Sequence, residues 1–493
     1  MTTQRSATNL NTVQSRVSRK VQRGTTVSYT VPPLSDEPLA LYFSDLHRND
    51  LRYTALWGKW SLWDGKRWRQ DESLLGFDMA RALCRRAAAE LAALRAQKQM
   101  NAVERSPLNL ASASTVAAVE RLARSSRNHA MTADQWDCDL WALNTRGGTI
   151  DLRTGKMRAH AFGDHITKIT AAAPGGQCPM WLQFLARITA GDGEFQRFLQ
   201  RVAGYSLTGS TREHALFFLY GAGANGKSVF INTLSGLMGD YAKTAPIETF
   251  IASRQERHPT DLAGLRGARL VSAVETEEGR RWAEAKLKQL TGGDRIAARF
   301  MRQDFFEFDP QFKLLIAGNH KPSLRSVDEA IRRRLHLLPF DVTIPERERD
   351  KDLPEKLKSE RGGILAWMIE GCLAWQRQGL NPPAIVREAT ADYLAEEDVV
   401  GQWVGDRCLL GSTLSATFAV LFADWRQWCL QNDEDPGSFK QLSQRLQAHG
   451  FSRRRSSSAH KFSGIALKND TPGVLPDLSA FAAGVTDVID DPI

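Results

Sequence analysis

The sequence has few cysteines and no long apolar run. Its 493 residues include six cysteines, none of them in a C-x-x-C pair. This spacing excludes a clustered zinc site and a disulfide framework, and it is typical of reduced core residues in a cytoplasmic protein. No apolar run approaches the roughly 20 residues that a membrane span requires. The sequence therefore predicts a soluble chain with no membrane partner.

Acidic residues are scarce at the amino end. The chain has 65 basic and 56 acidic residues, a net charge of +9 that suits a polyanionic partner. Residues 1–24 carry five basic side chains and no acidic one, and they lack the apolar core of a signal peptide. We predict a disordered basic arm over residues 1–35, with a transit peptide as the weaker alternative. Beyond Lys468 every charged residue is Asp, which predicts an acidic flexible tail.

What the sequence does contain is a phosphate-binding pattern. The stretch ALFFLYGAGANGKSV places an apolar run, Leu216 to Tyr220, before G-x-x-x-x-G-K-S and an amphipathic segment after it. Strand, glycine loop and helix are the context that this motif needs. The alternative is a glycine-rich turn without a ligand.

Each residue type in the motif has a physical role. Glycines let successive N–H groups point into one concavity, and the following helix start adds partial positive charge. Lys227 is predicted to reach the β- and γ-phosphates of ATP, and the Ser228 hydroxyl to hold Mg²⁺. The predicted nucleotide-binding residues are Gly221, Ala222, Gly223, Ala224, Asn225, Gly226, Lys227, Ser228 and Val229.

Two further apolar runs end in polar residues. Ala268 to Val274 is followed by carboxylates, of which Glu275 is the first choice and Glu277 the second for holding Mg²⁺ or assisting attacking water. A solvated acidic turn is the alternative. Phe312 to Ala317 leads to Asn319, an amide that could orient water or sense the γ-phosphate.

Three consecutive arginines, Arg332 to Arg334, precede the apolar run LHLLPF. An arginine there could reach a neighbouring subunit's nucleotide and stabilise transition-state charge. The alternative is a solvated helix face.

The regions on either side of this core are predicted more coarsely. Four tryptophans in LWGKWSLWDGKRW indicate a β-hairpin around Asp64-Gly65, either as the core of a small sheet or, with its interleaved cations, as a base-stacking surface. Near the carboxyl end, two helical segments and a strand pair follow the order of a winged helix. It would contact phosphates or, alternatively, another protein. Its candidate DNA contacts are Lys440, Arg445, Arg453, Arg454, Arg455 and Lys461.

The ordered motifs GAGANGKS, LVSAVETEEG, KQLTGGDRIAARF, FKLLIAGNHKP and RRRLHLLPF resemble the superfamily 3 helicases. The similarity is to the phage and plasmid primase-helicases related to the poxvirus primase-helicase. It implies an AAA+ core that assembles as a hexameric ring and moves along DNA with ATP. By resemblance Glu275 and Glu277 match the acidic second motif, Asn319 the polar sensor, and Arg333 the arginine finger, with Arg334 as runner-up.

The resemblance also implies a DNA-gripping hairpin within 288–302, with Lys288, Arg299 and Arg302 towards DNA, although a hairpin arginine could instead pair with Asp304. Only a short arm precedes the tryptophan-rich region, and we find no carboxylate constellation for nucleotidyl transfer. Primer synthesis by this chain is therefore not expected, and a separate primase or polymerase is a possible partner.

The fold class predicted is α/β. It comprises an N-terminal α+β domain (36–174), an AAA+ P-loop NTPase core (175–345), a helical linker (346–395), a winged-helix module (396–468) and a tail (469–493). The predicted function is an ATP-dependent DNA helicase in replication of a phage, plasmid or integrated mobile element, in a bacterial or virus-infected cell. The alternatives are a nucleotide-gated origin-binding initiator without processive unwinding, or a defence or signalling ATPase on the same core.

Overall fold

The computed structural model describes residues 35–96, 107–252, 260–275, 278–302, 304–325, 327–455 and 460–468, together with 18–20 and 26–28. It is a mixed α/β structure with a parallel sheet, so the α/β prediction is confirmed. Within these residues no helix is long and apolar enough to cross a membrane.

The described residues contain sixteen α-helices. They are α1 (Asp36–Leu46), α2 (Leu75–Ala96), α3 (Pro107–Leu110), α4 (Ala113–Arg124), α5 (Pro179–Ile188), α6 (Gly193–Leu207), α7 (Lys227–Met238), α8 (Thr260–Ala263), α9 (Glu284–Gly292), α10 (Glu329–Arg332), α11 (Leu353–Ser359), α12 (Arg361–Gln378), α13 (Ala384–Glu396), α14 (Val399–Arg407), α15 (Phe418–Gln431) and α16 (Phe439–Ala448).

The same residues contain nineteen β-strands. They are β1 (Ser18–Lys20), β2 (Thr26–Ser28), β3 (Leu51–Thr54), β4 (Lys59–Trp63), β5 (Trp68–Gln70), β6 (Ala130–Met131), β7 (Ala142–Thr145), β8 (Gly148–Asp151), β9 (Lys156–Arg158), β10 (Leu216–Tyr220), β11 (Ala242–Thr244), β12 (Leu270–Glu275), β13 (Ile296–Ala298), β14 (Phe306–Phe308), β15 (Lys313–Gly318), β16 (Leu335–Pro339), β17 (Cys408–Thr417), β18 (Ser452–Arg455) and β19 (His460–Leu467).

A five-stranded parallel sheet lies at the centre of the chain. Its order is β11-β12-β15-β10-β16, and every neighbouring pair is parallel. The three inner strands are apolar along most of their length because helices cover both faces, which is why the sequence reads there as continuous hydrophobic runs. The strand predicted from Leu216 to Tyr220 has the observed bounds.

Two apolar clusters cover the two faces of this sheet. One contains α5, α6, α7 and α12 residues together with Leu143, Ile150 and Leu152 of the β7–β8 hairpin region. The other contains residues of α9 and α13 and the alternate side chains of β10, β12 and β15. The segment before Pro174 therefore shares a core with the sheet, although the sequence predicts a domain boundary there.

The tryptophan-rich region forms the predicted hairpin, with β4 antiparallel to β5. Trp60 and Trp68 are buried, and Trp60 belongs to a core made with α1, α2 and α4. Trp68 packs with Trp136, while Trp57 and Trp63 lie partly buried beside them. These positions favour the core interpretation of the tryptophans over a base-stacking surface.

The carboxyl-terminal module (residues 399–468) is built on α14, α15 and α16 and a three-stranded antiparallel sheet of order β17-β19-β18. The two helices and the strand pair β18–β19 are those predicted. The strand β17 was not predicted. Its sequence, CLLGSTLSAT, contains glycine and serines and is interrupted by a register shift between Leu410 and Ser415, so alternation is weak.

Two local predictions differ from the structure, and a third is not tested by it. Strands β1 and β2 pair within the segment predicted to be disordered, where Thr26 and Val27 favour extended backbone. Cys138 is exposed, unlike the other five cysteines, because it lies in the loop after Trp136. The predicted acidic tail lies outside the described residues.

Candidate functional site

Three strands of the parallel sheet end at one edge. The register pairs Glu275 of β12 with Gly318 of β15, and Gly318 with Tyr220 of β10. Asn319 directly follows Gly318, and the glycine loop, Gly221–Gly226, directly follows Tyr220. Carboxyl ends of parallel strands are where open α/β sheets bind ligands, so sheet topology brings these predicted residues to one edge.

The glycine loop needs glycine at two positions for different reasons. A Cβ on Gly221 would lie 2.3 Å from the Phe340 carbonyl oxygen, so the close approach of two backbones excludes a side chain. Gly226 has φ of 86°, and its Cβ would lie 2.5 Å from Cγ2 of Ile188. Glycine adopts this left-handed backbone without strain, which lets α7 begin immediately at Lys227.

The chain after β16 holds the glycine loop from one side. The Asn225 amide donates to the Phe340 carbonyl at 2.8 Å, and the Ile344 N–H donates to the Ala224 carbonyl at 2.9 Å. On another side, α5 packs against Gly226, and its own amino end is capped by Glu360, whose carboxylate accepts from the Met180 and Trp181 N–H groups. These contacts hold the loop in position.

Lys227 is the buried cation of the site. Its side-chain ammonium donates to the Gly221 carbonyl at 2.6 Å, to Oδ1 of Asn225 at 3.1 Å and to Oδ1 of Asn319 at 3.2 Å. All three acceptors are neutral oxygens, so none of them balances the positive charge of the Lys227 ammonium. Burial lowers the pKa of Lys227. An anion at this position would raise the pKa of Lys227 again, because opposite charge favours the ionised form.

A cleft of about 340 Å³ opens over the glycine loop. Its lining comes from the loop and the start of α7 on one side, and from the ends of β12 and β15 on the other; it comprises residues 223–229, Val274, Ala317, Gly318 and Asn319. The volume is within the range of small-molecule sites. Ser228 is an exposed residue of this lining and lies in the first turn of α7.

Arg332, Arg333 and Arg334 do not lie at the carboxyl ends of the strands, where the glycine loop and Asn319 are. Arg333 follows α10 and precedes β16, which starts in register with Leu216, at the opposite end of β10 from the glycine loop. Five strand residues at about 3.3 Å each separate the two edges by roughly 16 Å. Arg333 therefore cannot reach the glycine loop of its own chain.

The three arginines differ in their surroundings. Arg332 pairs with Asp398 at 3.3 Å, and Arg334 is half-buried and donates to the Ala330 carbonyl. Arg333 is exposed, and its guanidinium forms no hydrogen bond or ion pair with the residues that the structure describes. Of the three, it is the side chain left available to a second molecule.

A hairpin is present as β13 and β14, of which only β13 lies within the predicted range 288–302. Its tip carries Arg299, whose guanidinium lies 4.8 Å from the centroid of the Phe305 ring, and the exposed Arg302. Lys288 lies instead on α9, where its ammonium forms an ion pair with Asp328. The DNA contact by Lys288 stays a prediction, and in this structure the Lys288 ammonium is paired with a carboxylate of the same chain.

The predicted basic residues of the carboxyl-terminal module occupy two elements. Lys440 and Arg445 lie on α16, where Lys440 is exposed and Arg445 half-buried. Arg453 and Arg454 are exposed on β18, and Arg454 is directly opposite Lys461 of β19. Arg455 ends β18. Glu277 lies outside the described residues.

Sequence reasoning missed the residues that hold the site together. Asn225 was named only as part of the loop, yet its amide connects the loop to Phe340 and to Lys227. Glu360 and the α5 side chains that pack on Gly226 gave no local signal, because their roles depend on contacts between segments far apart in the chain.

Two families match parts of this chain. Residues 40–190 match the family described as D5 N terminal like, and residues 219–334 match a family of unknown function, DUF5906. Putative helicases of two viruses are similar to it. That of Acanthamoeba polyphaga mimivirus is 26% identical over 270 residues, 50% of this chain and 28% of that protein. That of Frog virus 3 is 26% identical over 306 residues, 58% of this chain and 30% of that protein.

The chain thus spans about a third of the length of the curated relatives that it matches. Among solved structures, the apo C-terminal region of NrS-1 aligns with a TM-score of 0.49 at 10% identity, covering 88% of this chain and 100% of that one. The family and viral matches confirm the predicted resemblance: the chain is similar to phage and viral primase-helicases over parts of its length.

Proposed function

We propose that the chain is an ATP-dependent DNA helicase of superfamily 3 that acts as a ring in replication of a phage, plasmid or related element. The observation that carries this proposal is Lys227, a buried ammonium with only neutral acceptors at the floor of a cleft framed by a glycine loop and a helix start. Such a site fits the triphosphate of a nucleotide, since backbone N–H groups and a lysine favour phosphate oxygens.

In this proposal the chain's own groups divide the work. Lys227 holds the β- and γ-phosphates, and Ser228 and Glu275 hold Mg²⁺, which supplies charge stabilisation when bound. Asn319, already within 3.2 Å of the Lys227 ammonium, orients the attacking water. Glu275 or Glu277 accepts its proton. A complete active site requires two copies of this chain, because Arg333 lies at the opposite end of the strands from the glycine loop of its own chain.

DNA is the proposed partner, single-stranded at the β13–β14 hairpin and duplex at the carboxyl-terminal module. The order α15, α16, β18, β19 fits a winged helix, with the arginines of β18 and Lys461 of β19 along the phosphate backbone. Viral relatives named as helicases support nucleic acid as the substrate.

A strand-displacement assay on forked DNA with ATP tests the function. We expect unwinding and ATP hydrolysis by the unmodified chain and neither by Lys227→Ala, because removing the ammonium leaves the phosphates without their buried cation. Lys243→Ala is the matched control, since Lys243 is exposed on β11 away from the cleft. Hydrolysis without displacement would favour the initiator; normal hydrolysis by Lys227→Ala would remove the nucleotide-site assignment.

A further inference from the structure

Three consecutive carboxylates, the last residue of α13 and the two residues after it, contact different parts of the central core. Glu396 accepts from the Lys321 ammonium at 3.1 Å, and Glu397 accepts from the Leu324 N–H at 2.6 Å. Asp398 pairs with Arg332 at 3.3 Å. We call Glu396, Glu397 and Asp398 the acidic junction.

One of these contacts lies next to the candidate site, and another lies next to Arg333. Lys321 is two residues after Asn319, and its ammonium also lies 4.9 Å from the centroid of the Tyr220 ring, where β10 ends. Arg332 directly precedes Arg333 in the chain. The acidic junction therefore holds both the loop that carries the sensor amide and the segment that carries the exposed arginine.

Asp398 is also connected to the carboxyl-terminal module. His449, at the end of α16, lies with Nε2 at 3.0 Å from Oδ1 of Asp398. The same oxygen accepts from the Gly401 N–H at 3.0 Å and so caps α14, the first helix of the module. One carboxylate thus contacts α10, α14 and α16.

The environment of Asp398 favours its ionised form. Its side chain is 14% exposed. Burial alone would raise its pKa, but the hydrogen bonds from His449 and Gly401, with the charges of His449 and Arg332, hold the pKa below the ordinary value. An ionised carboxylate with several donors resists displacement, because each lost partner leaves a part-buried charge less compensated.

We propose that Asp398 is a positioning residue. Through His449 it contacts the carboxyl-terminal module, and through Arg332 it orients the segment 332–334, so that the position of the module is coupled to the orientation of Arg333. This inference rests on the proposed function, since it assigns Arg333 to a neighbouring active site. A module that shifts on binding DNA then moves α10 by the same ionic connection, so that DNA engagement and nucleotide turnover are coupled.

The test measures ATP turnover and nucleotide affinity of the full chain carrying Asp398→Asn, which retains an oxygen acceptor for the Gly401 N–H but loses the charge. We expect kcat to fall about tenfold, within the usual range of coupling between sites, with the nucleotide Kd within about twofold of the unmodified chain. Asp406→Asn is the matched control. Its carboxylate accepts from Trp428 inside the module, so kcat should not change.

A double-mutant cycle separates coupling from loss of structure. His449→Gln and Arg332→Gln should each lower kcat, and neither should lower it further in the Asp398→Asn background, because both act through the same carboxylate. Arg332 is exposed, so its variant keeps the test informative if Asp398→Asn folds poorly.

Additive losses, an unchanged kcat in Asp398→Asn, or a fall in nucleotide affinity equal to the fall in kcat would overturn the proposal. Failure of the proposed function is distinct: it would appear as normal turnover in Lys227→Ala and Arg333→Ala.

Discussion

Replacing Arg333 by Ala tests whether one protomer completes the active site of another. The glycine loop and Arg333 lie at opposite ends of β10 and β16, roughly 16 Å apart along the strands, so loss of Arg333 should leave nucleotide binding by its own chain intact. Arginine fingers contribute about 10³- to 10⁵-fold to turnover in phosphoryl transfer. We expect kcat to fall at least about a thousandfold, with an unchanged nucleotide Kd.

Mixing two inactive variants gives a quantitative prediction. If chains carrying Arg333→Ala and Lys227→Ala are mixed in equal amounts before assembly, a site is complete when it takes Lys227 from one type and Arg333 from a neighbour of the other type. Random assembly with a head-to-tail interface makes about one site in four complete, whatever the number of subunits in a closed ring. Turnover should therefore recover to about a quarter of the unmodified level.

The assay is steady-state phosphate release, with nucleotide affinity measured separately on each variant. Arg377→Ala is the control, because Arg377 is exposed on α12 and belongs to no proposed contact. No recovery in a mixture that has assembled would refute action in trans, and so would normal turnover by Arg333→Ala alone.

Two further predictions concern the folded state. A Cβ on Gly204 of α6 would lie 2.0 Å from the Cys372 backbone nitrogen of α12, so Gly204→Ala should reduce the free energy of unfolding by about 3 kcal/mol, whereas Gly405→Ala on α14, with open space around it, should raise it by about 0.5–1 kcal/mol. Urea unfolding of both variants checks this, and equal stabilities would contradict the close helix packing. His129 is fully buried, and burial lowers its pKa from 6.5 to about 4. The unfolded chain therefore binds a proton that the folded chain does not between these values. This group should cost up to about 3 kcal/mol of stability as pH falls from 6.5 to 4, and His129→Gln should lose that part of the slope. Identical pH slopes for both chains in unfolding experiments would show that His129 does not carry it.

The residues of the central sheet and its glycine loop were predictable because their signals are local. An apolar run buried on both faces indicates an inner parallel strand, and the loop that follows β10 has glycines where the backbone must turn or approach another chain segment. The polar residues at the strand ends were identified because each directly follows an apolar run. They come together because the carboxyl ends of parallel strands lie side by side. The helices α15 and α16 were also predicted from periodicity and turn residues.

Contacts between distant segments could not be predicted in this way. Lys288 was predicted to face DNA, but α9 and α10 place it beside Asp328. Strand β17 has weak alternation and forms because β19 supplies its partner groups.

The sequence by itself determined which residues form the inner strands, the glycine loop and the buried lysine, because periodicity, glycine spacing and charge act over a few neighbouring residues. Only the tertiary structure decided that Arg333 lies away from its own cleft and that Asp398 joins Arg332 to His449. Strand order and helix packing set these distances, and no short stretch of sequence encodes either.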